Sequence, residues 1–136
     1  MNLDALNDYL ETKRSASFVW GENDCLTFTN GAYKAMYGEG WCDDWLGRYA
    51  VDGKPRRNAD LRSEYGFDDL QTGISSKLTA IDYVAPRGAL VISKLSRRYL
   101  LGYSFGISVG TKAVFLMNKG LAYYPVASID GAWIKE

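Results

Sequence analysis

The sequence contains no histidine. Imidazole is the side chain that takes a proton from a thiol or hydroxyl near neutral pH, so a cysteine–histidine or serine–histidine pair cannot be built from this chain alone. Cysteine is nearly absent too: Cys25 and Cys42 are the two present. That is too few for a disulfide framework and, without histidine, for a recognisable structural zinc or iron–sulfur set. A Cys25–Cys42 bridge outside the cell stays open. Net charge is also missing, with 16 basic and 16 acidic side chains. Basic residues cluster only at Lys54-Pro55-Arg56-Arg57 and Arg97-Arg98, short runs that read as solvated loops, so nucleic acid is not expected as a partner. No apolar run is long enough for membrane insertion, and the polar, amphipathic N-terminus does not read as a signal peptide. Synthesis in the cytoplasm is the expectation, and no cofactor is indicated.

What is present suits a single globular domain over residues 1–136, at 47% hydrophobic residues. Asn2 caps a first helix through about Lys13, with Leu3, Leu6, Tyr9 and Leu10 on one face. A Trp20-Gly21 turn and a cap at Asn23 or Asp24 then open a second helix at Cys25 that closes before Gly38. A cysteine in the first turn of a helix lies at the positive end of the macrodipole, which favours thiolate and makes Cys25 a nucleophile candidate. The competing account is burial: Cys25, Phe28, Thr29, Ala32 and Met36 form one stripe, and free cysteine is among the most often buried residue types. Gly31 inside this helix costs roughly 1 kcal/mol relative to alanine, which suits the close approach of another backbone.

Further on, Asp43 is placed to cap a short helix carrying Trp45. A helix from Asn58 or Asp60 ends at Gly66, and another starts at Asp68 or Asp69 with Leu70, Ile74 and Leu78 at helical intervals. From Ala80 the pattern turns to short extended runs: Ile81 to Ala85, Ala89 to Ser93, Gly102 to Val109, Ala113 to Met117, Leu121 to Val126, and Ala132 to Ile134. Turn residues separate them, which predicts an antiparallel meander. The expected fold class is therefore α+β, with a helical N-terminal half, including the helix starting at Cys25, packed on a C-terminal antiparallel sheet of about five or six strands.

Trp20-Gly21, Asn23-Asp24-Cys25, Phe28, Gly31 and Ala32 together resemble the segment around the nucleophile of NlpC-type cysteine peptidases. These are papain-like enzymes that cut peptide bonds in bacterial peptidoglycan, and many phages carry one at the tail tip. The runs Gly40-Trp41-Cys42-Asp43-Asp44-Trp45 and Gly131-Ala132-Trp133 are similar to a group of short phage and prophage proteins related to that family. The resemblance implies an NlpC/papain-like fold and Cys25 as a vestigial nucleophile. It also places Ser104, in Ser104-Phe105-Gly106-Ile107, at the position of the catalytic histidine. The polar residue that orients the histidine would fall near Phe115-Leu116-Met117, an apolar strand, and Ala89 stands where an aspartate follows the turn glycine.

Serine cannot act as the base at neutral pH. Asp24 is a poor proton acceptor whose charge would raise the thiol pKa, and Tyr103, Tyr123 and Tyr124 are protonated at neutral pH. The resemblance thus implies a catalytically inactive domain serving assembly in a phage or prophage-derived tail tip. Other tail proteins would be its partners and the virion tail its location. Four tryptophans and ten tyrosines would furnish interface side chains, with Trp20, Asp24, Trp41 and Trp45 as candidate binding residues. Two alternatives remain: a peptidoglycan-cleaving peptidase that uses Cys25 with a non-histidine or partner-supplied base, and a module that binds a peptide or glycan without cutting it.

Overall fold

A computed structural model of the chain describes residues 1–94 and 102–136; the Arg97-Arg98 pair lies outside them. Helix α1 (Leu3–Lys13) is capped by the Asn2 side chain, which accepts the Ala5 N–H at 2.9 Å. Helix α2 (Cys25–Tyr37) starts at Asp24 and stops at Gly38, whose φ of 87° reverses the chain in the left-handed region. The two helices pack against each other. Tyr9 stacks on Phe28 and donates to the Phe28 carbonyl at 2.8 Å. A Cβ on Gly31 would collide with the Tyr9 ring. The glycine therefore admits an aromatic side chain, and not a second backbone as expected.

A single 3-10 turn, Asp43–Trp45, follows. Asp43 does not cap it; its carboxylate instead accepts the Asn30 side-chain amide at 2.7 Å and the Gly40 N–H at 3.1 Å. A small hairpin of β1 (Ala50–Val51) and β2 (Lys54–Pro55) comes next. Its turn is Asp52-Gly53, both residues at positive φ, 53° and 75°. That dipeptide is a strong hairpin signal the sequence reading passed over. Helix α3 (Asn58–Tyr65) ends at Gly66, and α4 (Leu70–Ser75) is capped by Asp69. Leu78 is buried but lies beyond α4, not on it.

The main sheet comprises β3 (Thr79–Ile81), β4 (Leu90–Ser93), β5 (Ser104–Ser108), β6 (Lys112–Met117), β7 (Gly120–Pro125) and β8 (Gly131–Ile134), all antiparallel, in the order β3-β8-β4-β5-β6-β7. An α+β plan with helices first and a six-stranded antiparallel sheet second thus holds. The meander does not run throughout. It covers β4 to β7; β8 then returns across the sheet to lie between β3 and β4. The strand expected over Ile81 to Ala85 is Thr79–Ile81, and the chain turns at Pro86, whose carbonyl accepts the Ala89 N–H at 3.0 Å.

Strand alternation gives the sheet two different faces. Leu90, Ile92, Phe105, Ile107, Val114, Leu116 and Trp133 face the helices and join Leu26, Phe28 and Ala32 in the larger core. Each such side chain fully buried contributes about 1.5–3 kcal/mol. The other face carries Val91, Ala113, Phe115 and Ala132, with Ala85 and Ala89 packed beside them. It is covered by the connection from β7 to β8, whose Val126 and Ile129 pack on it. Small residues on this face leave the space for that strap.

Candidate functional site

The Val19–Asn23 loop folds back on itself: Val19 N–H donates to the Asn23 carbonyl at 2.9 Å, and Asn23 N–H to the Val19 carbonyl at 2.8 Å. This brings Gly21 over the start of α2. The Asp24 carboxylate, 0% exposed, accepts the N–H groups of Gly21 at 2.7 Å and of Leu26 and Thr27, both at 2.9 Å. It also accepts the Tyr49 hydroxyl, at 2.7 and 2.6 Å from its two oxygens. Thr27 Oγ1 accepts the Asp24 N–H at 2.8 Å, completing a capping box. Asp24 is thus committed as a cap, with no open lone pair aimed at the thiol.

Cys25 is the next residue and is 1% exposed. Burial pushes its thiol up from 9.0 to about 12; the Asp24 carboxylate pushes the same way, against backbone N–H groups of Phe105, Cys25 and Leu26 that favour thiolate. Of the two accounts of Cys25, activated thiolate and buried core residue, the structure favours burial. The macrodipole is present, but loss of water outweighs it. Cys42 is likewise a buried free thiol with its pKa raised, chiefly by burial.

Opposite Cys25 the structure places Phe105, not Ser104. The β4–β5 register pairs Ile92 with Phe105 and Ser93 with Ser104, so Phe105 shares the helix-facing side with Ile92. Ser104 falls on the opposite side, the parity of Gly106, whose Cβ would meet Phe115 of the second cluster. Phe105 stacks on Trp41 at 5.7 Å, which closes this part of the core. The other candidate bases are three tyrosines. Tyr103 accepts the Gln71 side-chain amide at 3.0 Å. Tyr123 and Tyr124 stand on β7, separated from β5 by β6. Ala89 belongs to the far-face cluster, and Phe115-Leu116-Met117 is interior β6 with no polar side chain.

The candidate binding residues Trp20, Asp24, Trp41 and Trp45 are all buried, as is Trp133, so the tryptophans pack in the core. Trp41 reaches a cleft of about 420 Å³ rimmed by the Lys77–Asp44 and Lys135–Glu39 ion pairs. The Trp41 loop is held to α2 by two residues the sequence reading did not single out as anchors. Thr29 Oγ1 accepts the Trp41 indole N–H at 3.1 Å, and Asn30 Oδ1 accepts the Cys42 N–H at 2.8 Å. An asparagine inside a largely apolar helix, with a Gly-Trp-Cys loop following it, was the available signal.

Fold and site together define an α+β domain in which a helix-start cysteine is buried with its thiol pKa raised and, among the described residues, no proton acceptor set against it. The chain belongs to the family described as Domain of unknown function (DUF6950), which it matches over residues 3–134. Comparison with curated proteins finds no match.

Proposed function

We propose that this protein is a structural component of the tail tip of a phage or prophage-derived particle, an NlpC-like domain without peptidase activity that acts in tail assembly. The observation that carries this reading is the closure of Cys25, 1% exposed with its thiol pKa pushed up to about 12 and Phe105 on the facing strand. A cysteine nucleophile needs thiolate character, access and a base; among the described residues this one is given none of the three. The order and spacing of the Trp20 to Ala32, Gly40 to Trp45 and Gly131 to Trp133 runs support kinship with tail-associated proteins and rest on resemblance alone. Burial of Cys25 counts against the peptidase alternative, which would need the thiol uncovered before a partner's base could reach it.

The test is digestion of purified peptidoglycan by the wild type and by Cys25→Ala, with soluble products read by mass spectrometry and tail proteins added in parallel. No products in any tube, together with the protein's detection in purified particles, is the expected outcome. Cysteine-dependent muropeptide release would overturn the inactive reading, and absence from particles would overturn the assembly role.

A further inference from the structure

Strand β7 is an edge of the sheet, and among the described residues no strand pairs with its outer side. Which of its backbone groups face outward follows from its register on β6. Val126 N–H donates to the Thr111 carbonyl at 3.0 Å, and at the other end the turn through Asn118 and Lys119 closes on the Met117–Gly120 pair. Antiparallel pairs alternate between bonded and non-bonded. Gly120, Ala122 and Tyr124 therefore bond to β6, whereas Leu121 and Tyr123 turn both N–H and carbonyl outward, and Pro125 turns a carbonyl. Ser17 and Phe18 cover only the turn before β7, by a bridge to Lys119 and a 3.4 Å bond from Phe18 N–H to the Asn118 carbonyl. Edges of this kind are ordinarily blunted by charges, prolines or bulges, and here Pro125 does so only at the last residue of β7. The β7 sequence, GLAYYP, has no charged residue.

Beside Tyr123 of β7 lies a groove of about 530 Å³, lined also by Asn7, Asp8, Leu10 and Glu11 of α1 and by Arg14 just past its end. Leu10 and Tyr123, the latter 49% exposed, give it an apolar floor. Its helical wall carries the carboxylates of Asp8 and Glu11, with Asp4 one turn back on the same face outside the groove; all three are exposed, and Arg14 is the one cation in the lining. Glu11 pairs with Arg14 at 3.3 Å, and Arg87 reaches Asn7 at 3.5 Å, but no cation among the described residues pairs with Asp4 or Asp8.

We propose that the β7 edge and this groove take an extended, basic segment of a partner protein as an added strand. Its main chain bonds to Leu121 and Tyr123, and its lysine or arginine side chains on the helix side face Asp8 and Glu11. The edge supplies affinity without regard to sequence; the acidic wall supplies the preference for basic side chains. The inference stands independently of the tail reading and gives that reading a contact surface, so failure here leaves the particle experiment above unaffected.

The test uses the full chain and a labelled synthetic peptide alternating lysine and valine, with the glutamate–valine peptide beside it, read by fluorescence anisotropy and backbone amide shifts. Saturable binding of the lysine peptide alone is expected, with shifts at residues 121–124 and 7–11. Tyr123→Pro removes an outward N–H and spares the β6 ladder; it weakens binding roughly tenfold, and Tyr123→Ala, which keeps the N–H, less. Paired Asp8→Lys and Glu11→Lys substitutions weaken it by a similar factor. Should Tyr123→Pro fail to fold, a lysine–valine peptide N-methylated at alternate residues takes its place and must bind about tenfold more weakly than its parent. Equal binding of both peptides, or indifference to N-methylation, overturns the proposal. So does dimerisation of the chain through β7 without peptide, which would assign the edge to a second copy.

Discussion

The Tyr49 hydroxyl spans both oxygens of Asp24, at 2.7 and 2.6 Å, from a position 25 residues further along the chain. It ties the segment before the β1–β2 hairpin to the first turn of α2. The carboxylate next to the cysteine is thereby a structural anchor, with four donors around it. Tyr49→Phe leaves a buried carboxylate short of one donor and is expected to cost about 2 kcal/mol. Asp24→Ala removes the cap and strands the Gly21 N–H and Tyr49 hydroxyl, for about 3 kcal/mol. Urea unfolding of the two variants checks the order; a Tyr49→Phe protein as stable as wild type would remove the anchor role.

Alkaline pH should unfold the protein earlier than its acid range would suggest. A thiol or phenol whose folded pKa is raised keeps its proton in the folded chain after the unfolded chain has lost it. Its effect on stability is thus constant below the ordinary pKa and turns unfavourable as pH climbs from there towards the folded value. For Cys25 that window runs from 9.0 to about 12. The phenols of Tyr33 and Tyr49, raised from 10.0 chiefly by burial, add to the decline from pH 10 upward. Unfolding midpoints measured from neutral pH to about pH 11 should be level at first and then fall. A Cys25→Ser variant should show a shallower fall; a flat profile through the alkaline range would contradict the burial account.

Neither thiol should react with a disulfide reagent while the protein is folded, and both should react in denaturant. Ser104→His should leave this unchanged, because an imidazole at 104 lies on the sheet face away from α2. Phe105→His points to the correct side but removes a core aromatic, at about 3 kcal/mol. Rapid native labelling of Cys25 in the Ser104→His protein, followed by peptide mapping, would show that the face assignment is mistaken.

Gly31→Ala sets two effects against each other. Helix propensity favours alanine by roughly 1 kcal/mol. The new methyl would strike the Tyr9 ring, and overpacking of a fixed core costs about 1–3 kcal/mol. Net destabilisation is expected, and Tyr9→Leu in the same chain should relieve it in a double-mutant cycle.

Local chemistry made much of the fold legible. Asn2, Asp24 and Asp69 as caps, and Gly38 and Gly66 as stops, were readable because each helix end must satisfy its own backbone groups. Strand positions emerged from turn residues in the same way. What the sequence could not show was long-range. The place of β8 depends on a strap crossing the sheet, and the orientation of Ser104 depends on register with β4, where a shift of one residue exchanges the faces. The state of Cys25 stayed open because a helix N-terminus and a buried stripe pull the thiol pKa in opposite directions, and the burial that decides the balance comes from strand β5, distant in sequence. The β7 edge was visible as a strand, but its exposure depends on which strand comes last in the sheet.

The insertion of β8 between β3 and β4 also sets a schedule for biosynthesis. β3 pairs with β8 and with no other strand among the described residues, and the two lie about 50 residues apart. While the chain is being made, β4 through β7 can zip up in turn, each beside its immediate predecessor. β3 must wait unpaired until β8 leaves the ribosome, with the slot beside β4 standing empty for the same interval. A nascent chain stalled just before Gly131 would therefore expose that slot, and chaperones would find their binding site there.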